Sequence, residues 1–174
     1  MKFLKKVIHP SLTSLEGVSF KRISARGVLI KDGKILMMFT QRYNDYTFPG
    51  GGVDSEEDIL DGLKRELLEE TGALDVEILK ELGYIEDMRP YYKKEYDYIH
   101  EKSYFFLCIA NKFTDVKLED YEIRNGMQHL WIKLEDAISH NKKIMAKNPS
   151  SIGVSIFRET AMMEIIKDIV PELA

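Results

Sequence analysis

The sequence predicts a mixed α/β fold, an α/β/α sandwich with a mixed β-sheet between helices. Three observations predict it: two apolar runs that meet at Asp32-Gly33, a well-bounded helical pattern from about Ser55 to Thr71, and further strand-like runs followed by helical periodicity.

Arg26-Gly27-Val28-Leu29-Ile30-Lys31 and Lys34-Ile35-Leu36-Met37-Met38-Phe39 flank Asp32-Gly33. A two-residue type I′ turn needs positive φ at both central positions, which Asp-Gly tolerates, so this stretch reads as a hairpin. The next segment, Phe48-Pro49-Gly50-Gly51-Gly52, is too flexible and too short of donors for a central strand. A helix then follows, capped by Asp54 or Ser55 with Glu57 or Asp58 three residues later, and Gly72 stands where a left-handed residue stops it. Residues 76–85 read as a strand, 87–101 as a charged and aromatic loop, 104–110 as a buried strand and 126–134 as another strand. Helices are expected at 134–142 and 152–169. The second carries Ile152, Ile156, Ala161, Ile165 and Ile169 at near-helical spacing, enough to cover one face of the sheet. No repeat, low-complexity tract or linker divides the chain, so residues 1–174 are expected to form one domain.

Composition narrows the partners. Twenty-nine acids against 25 bases leave a net charge of −4, which supplies no broad positive field for nucleic acid or an anionic membrane and favours a small molecule. The single cysteine, Cys108, lies in the apolar run Tyr104 to Ala110; no internal disulfide can form, and a buried thiol in a reducing cytoplasm is expected. Met1 to Pro10 lacks the apolar segment of a secretory leader, and no run approaches the roughly 18 residues of a membrane span. A homodimer is compatible with this composition.

On a helix, Glu66, Glu69 and Glu70 stand at the i, i+3, i+4 spacing that brings side chains together. All three fall in the last turn, where the helix dipole is already negative, so a compensating charge is expected. Divalent cations such as Mg2+ or Mn2+ prefer carboxylate, carbonyl and water oxygens and would supply it. Leu60, Leu63 and Leu67 mark the adjoining face as the one that anchors the helix in the core. Taken alone, three glutamates on a helix more often form a solvated face than a site.

The wider context reverses that balance. From Gly51 the sequence GGVDSEEDILDGLKRELLEETGA resembles the box of the Nudix family, G-x5-E-x7-R-E-U-x-E-E-x-G-U with U aliphatic. Gly51, Glu57, Arg65, Glu66, Leu67, Glu69, Glu70 and Gly72 match; Ala73 is smaller than the usual last residue. Seven fixed residue types at fixed spacing arise by chance with a probability of about one in a million or less. The box covers residues 51–73. The resemblance implies a Nudix-type fold and a Mg2+-dependent hydrolase, with Mn2+ as an alternative, that cleaves a diphosphate linkage in a nucleoside diphosphate-type molecule. It assigns Glu66, Glu69, Glu70 and the Gly51 carbonyl to metal binding, makes Glu66 a base for the attacking water, and makes Arg65 and Glu57 orienting residues. The family often carries a further glutamate ahead of the Trp-containing strand; Glu122 is the first choice for it, Glu119 the second, and a plain surface role for Glu122 stands beside them.

On the substrate side, Arg42 is placed to pair with phosphate and Tyr46 to stack on a base, against the alternative that Tyr43, Tyr46 and Phe48 pack the hairpin end. Arg26 faces either phosphate or solvent, since register is not fixed by sequence. Tyr91 belongs to a tyrosine-rich segment, 88–100, expected to govern selectivity. His9, His100, His129 and His140 lack ligand spacing, which disfavours zinc. The main alternative is a catalytically silent nucleotide-binding or regulatory module of the same fold. An isoprenoid diphosphate isomerase is disfavoured by the core position of Cys108, and an RNA end-processing hydrolase by the weakly basic surface.

Overall fold

The computed structural model describes residues 1–147 and 149–170. In chain order its elements are β1 (Phe3–Ile8), β2 (Ser19–Lys31), β3 (Lys34–Thr40), β4 (Asp45–Thr47), β5 (Gly50–Gly52), α1 (Ile59–Thr71), β6 (Ala73–Leu74), β7 (Glu77–Arg89), β8 (Tyr98–Ile109), β9 (Lys112–Phe113), α2 (Asp120–Asn125), β10 (Met127–Ile132), α3 (Leu134–Met145) and α4 (Ile156–Ile169).

The main sheet has the order β1-β7-β8-β2-β3-β10, with β4 on β3 and β5 on β2; β6 and β9 form a separate ribbon. It is mixed, because β1 with β7 and β2 with β8 run parallel while the other neighbours are antiparallel. The β2–β3 hairpin turns as its Asp-Gly predicts, with φ of 52° at Asp32 and 70° at Gly33.

Strand alternation divides the core into two layers. Leu29, Leu36, Phe106 and Cys108 face α1 and meet its Leu63 and Leu67, whereas Val28, Ile35, Met37 and Phe105 face α3 and α4 and meet Ala137, Met162, Met163 and Ile166. Leu63 and Leu67 are fully buried, which contributes about 1.5–3 kcal/mol each and fixes the rotation of α1 about its axis. A Cβ at Gly27 would lie 2.9 Å from a Leu67 methyl, so a glycine in β2 lets α1 seat closely on the sheet.

Several elements depart from the sequence expectation. The helix starts at Ile59: the N-cap is Asp58, whose carboxylate accepts the amides of Leu60 and Asp61, while the Asp54 and Ser55 region forms a turn closed by Glu57 N–H donating to Asp54 O at 3.0 Å. Gly72 ends it in the left-handed region, φ 73°, as expected. The expected loop 87–101 is shortened to 90–97, since β7 runs to Arg89 and β8 starts at Tyr98; Asp87, Arg89 and Glu101 at its two ends are charged but pair with one another inside the protein. The glycine segment does form a short strand, β5, although on β2 rather than within the sheet order. The strand expected at 126–134 is trimmed to Met127–Ile132, and the last helices run to Met145 and from Ile156. Neither β1 nor α2 is visible in the apolar pattern. No described helix is long and apolar enough to cross a membrane.

Candidate functional site

An open cleft of about 1410 Å³ lies where the C-terminal half of α1 meets β5, with α2, α4 and the start of β2 around it. Gly50 enters β5 with φ 127°, a conformation that favours glycine, and a Cβ there would lie 2.2 Å from Ala25 O. This turn aims the backbone at α1. Gly50 N–H donates to Glu70 Oε2 at 2.6 Å, and a Cβ at Gly51 would stand 2.6 Å from the Glu66 carboxylate, so glycine lets both acids lie against the entry segment.

Glu70 is buried, and desolvation pushes its pKa up to about 8 against the opposing pull of Arg26 and the Gly50 amide. Glu122 is 4 % exposed and its pKa is also raised, first by burial and further by the nearby Glu119 and Glu66 charges. Its carboxylate closes the capping box of α2, accepting Glu119 N–H at 2.7 Å, and also accepts the Tyr121 hydroxyl at 3.3 Å. The structure therefore brings Glu122 to the acidic patch of α1, on the short helix α2 ahead of the Trp131 strand.

Arg65 ties the patch together. Its Nε and Nη2 donate to the two Glu57 oxygens at 2.9 and 3.0 Å, Nη1 to Glu66 at 2.8 Å and, more weakly, to Glu69 at 3.5 Å, and Nη2 also to Gly52 O at 3.3 Å. These bonds raise the Arg65 pKa and lower that of Glu57, the hydrogen bond between the two being the first cause in both. Gly62 makes room for this contact, since a Cβ there would lie 2.9 Å from Glu57 Oε2.

Below the cleft runs a buried ion network. Arg158 of α4 pairs with Asp87 at 3.1 Å, Glu101 at 3.3 Å and Glu159 at 2.5 Å; Arg89 pairs with Asp87 at 2.5 Å and also with Glu101. Burial pushes Glu101 up, but the surrounding arginines 158, 89 and 26 outweigh it and hold its carboxyl well below the usual range. Arg26 donates to Gly50 O at 2.5 Å and Phe48 O at 3.3 Å, and Glu159 accepts Phe48 N–H at 2.9 Å. The glycine-rich entry is thus held from beneath by one cation and one anion. Asp45, 2 % exposed, also lines the cleft; burial, then repulsion from Glu159, raises its pKa to about 7.

Of the residues singled out from sequence, Glu57, Arg65, Glu66, Glu69, Glu70, Gly51, Glu122, Arg26 and Tyr91 line this one cleft, and Glu119 joins them. Arg42 and Tyr46 do not. Arg42 donates to Asn125 Oδ1 at 3.1 Å and lies over the Tyr43 ring, while Tyr46 packs between Phe39 and His140, the packing alternative named above. Arg22, Asp45, Arg158 and Glu159 line the cleft without having been singled out. The adjacent charges Arg158 and Glu159, set among Ile156, Met162 and Met163, were the available sign of a buried pair.

The donors on α1 and α2 are all oxygen, and His100 on the cleft wall is 3.4 Å from Glu86, so the chemistry fits a hard divalent cation rather than zinc. Among the described residues no three acidic, histidine or cysteine side chains are already converged on one point. Arg65, placed between Glu66 and Glu69, holds those two apart from such a set.

A family profile described as NUDIX domain matches residues 21–152. Over 45 residues the chain is 44% identical to an RNA pyrophosphohydrolase of Bartonella henselae, a match that spans 26% of this chain and 26% of that relative. Two solved structures share the fold: a NUDIX hydrolase from Nitrosomonas europaea, with a TM-score of 0.57 at 15% identity over 87% of this chain and 96% of the other, and the E. coli ORF135 protein, with a TM-score of 0.52 at 16% identity over 88% and 95%.

Proposed function

The chain belongs to the Nudix family, and on that premise we propose that it acts as a single-domain pyrophosphohydrolase that cleaves a diphosphate linkage in a nucleotide-like small molecule with the help of Mg2+ or Mn2+. The observation that carries this reading is the packing of the Glu66 carboxylate against Gly51, beside buried Glu70 and within the field of Glu122. Glu66, Glu69, Glu70 and the Gly51 carbonyl would hold the cation. When bound, it would neutralise charge on the diphosphate and acidify water.

The protein groups supply position and a proton acceptor. A water oxygen bonds to phosphorus, the bridging P–O bond breaks, and the proton released goes to a carboxylate oxygen of Glu66 or Glu122. Burial strengthens Glu122 as a base, and Arg65, fixed by Glu57, keeps Glu66 oriented. A small-molecule substrate agrees with the net charge of −4, and the buried free thiol of Cys108 agrees with a reducing cytoplasm.

A binding module without turnover is the second reading, favoured by the Arg65 pairing that occupies Glu66 and Glu69. The two separate in an assay of phosphate or mononucleotide release, with Mg2+ or Mn2+, from dinucleoside polyphosphates, ADP-ribose, nucleotide sugars and nucleoside triphosphates. Turnover that Glu69→Gln abolishes supports the hydrolase; no turnover on any of these leaves the binding module.

A further inference from the structure

The corner between β3 and β4 is pinned to the end of α2. Gln41 and Arg42 donate their backbone N–H groups to Gly126 O and Asn125 O at 3.1 and 3.0 Å, so these two carbonyls are satisfied without a cation. Gly126 takes φ 66°, and a Cβ there would lie 2.7 Å from Gln41 Cβ, so glycine lets the two segments touch. The contact sets Arg42 opposite Asn125, one residue along from Arg124.

Beside this contact lies a shallow hollow of about 340 Å³, lined by Gln41, Arg42, Ile123, Arg124, Asn125 and Gly126. Of these only Asn125 also lines the cleft. Two guanidinium groups and two side-chain amides face the hollow and no carboxylate does, in a chain whose net charge is −4. Arg42 is already oriented: its Nη1 donates to Asn125 Oδ1 at 3.1 Å, and its guanidinium lies over the Tyr43 ring, 5.3 Å from the centre. Among the described residues Arg42 makes no ion pair, and Arg124 makes neither a hydrogen bond nor an ion pair, although Asp120 stands one helical turn before it. Both are exposed. Arg26, Arg65, Arg89 and Arg158, by contrast, all have carboxylate partners. Two unpaired cations at one hollow repel each other, and a tetrahedral oxyanion that accepts from both forks removes that repulsion.

We propose that Arg42 and Arg124 form a binding site, separate from the cleft, for a phosphate oxyanion: free orthophosphate or the end of a phosphomonoester. The bound ion ties the β3–β4 corner to α2. That helix has six residues, and Glu122 is the one that is buried, so few contacts hold it in place and an added tie steadies it. Because Glu122 also lines the cleft, the tie steadies the acidic patch as well. This last consequence rests on the hydrolase reading; the binding itself does not.

Amide NMR of the full chain in EDTA, titrated with inorganic phosphate at fixed pH and ionic strength, tests the site without turnover. Saturable shifts are expected at Gln41, Arg42, Asn125 and Gly126. At ten times the dissociation constant, hydrogen exchange of the α2 amides should slow about tenfold. Arg124→Gln should weaken binding by at least about tenfold, and Arg42→Lys, which keeps the charge and loses the fork, should weaken it less. AMP as a second probe separates the sources: shifts at the same four amides assign a phosphomonoester end, and their absence assigns the free ion. The proposal is overturned if no saturable shift appears, if sodium chloride at equal ionic strength gives the same shifts, or if the shifts fall on Gly50 to Gly52 instead. It is equally overturned if α2 exchange does not slow, or if Arg124→Gln binds like the wild type. Diphosphate turnover without phosphate binding at α2 overturns this site alone; phosphate binding there without turnover on any substrate overturns the hydrolase reading alone.

Discussion

Glu159 accepts the backbone N–H of Phe48 at 2.9 Å from a position 111 residues further along the chain, while its other oxygen pairs with Arg158. One buried carboxylate thus joins α4 to the segment that delivers Gly50 and Gly51 to the acidic helix. Glu159→Ala leaves the Phe48 amide without its acceptor and Arg158 with only Asp87 and Glu101. The expected loss of stability is about 3 kcal/mol, read from the urea midpoint, with Glu159→Gln losing less because its amide oxygen can still accept from Phe48.

Asp45 predicts a pH dependence of opposite sign to that of an ion-paired acid. Its folded-state pKa is raised from the ordinary aspartate value of 3.8 to about 7, chiefly by burial, so the folded state binds the proton more tightly than the unfolded chain. The group does not penalise folding below about pH 4; its penalty grows as pH rises towards 7 and is constant above. Asp45→Asn should therefore raise the melting temperature more at pH 8 than at pH 5, with a gain of at most about 4 kcal/mol at the higher pH. An equal gain at both pH values would remove the titration argument.

Gly51→Ala separates the site from the scaffold. Gly51 has no positive φ, so alanine is tolerated by the backbone, but its Cβ would meet the Glu66 carboxylate. The expected result is a fall in kcat of at least about tenfold with the melting temperature nearly unchanged, because the atoms displaced are the far end of one side chain.

Arg65→Lys keeps the charge and removes the planar fork that spans both Glu57 oxygens and Glu66. Turnover should fall about tenfold or more, with circular dichroism unchanged. A lysine variant as active as the wild type would show that charge alone, without the fork, orients Glu66.

The parts of the fold that sequence disclosed were those decided locally. The β2–β3 turn follows from two residues, Asp32 and Gly33, and the end of α1 follows from Gly72. The helix start did not, because Asp54, Ser55 and Asp58 are all able to cap and the choice depends on Glu57 folding back towards Arg65. The two ends of the 87–101 stretch, 87–89 and 98–101, read as loop because Asp87, Arg89 and Glu101 are charged; their burial is balanced by Arg158, 71 residues beyond Asp87, which no local pattern carries. In the site, the acids of α1 were legible from spacing on one helix. Arg22, Asp45 and Glu159 were not, since each reaches the cleft from a different element. Arg42 and Tyr46 were nearby in sequence but turn away from the cleft, into contacts with Asn125 and His140.

The most direct measurement is kcat for diphosphate cleavage by the wild type and by Glu66→Gln, with Mg2+ and with EDTA, on the best substrate of the panel. The account predicts Mg2+-dependent turnover that falls by about a hundredfold or more in the variant, with unchanged circular dichroism. Wild-type turnover that persists in EDTA, or a Glu66→Gln rate equal to that of the wild type, would contradict it.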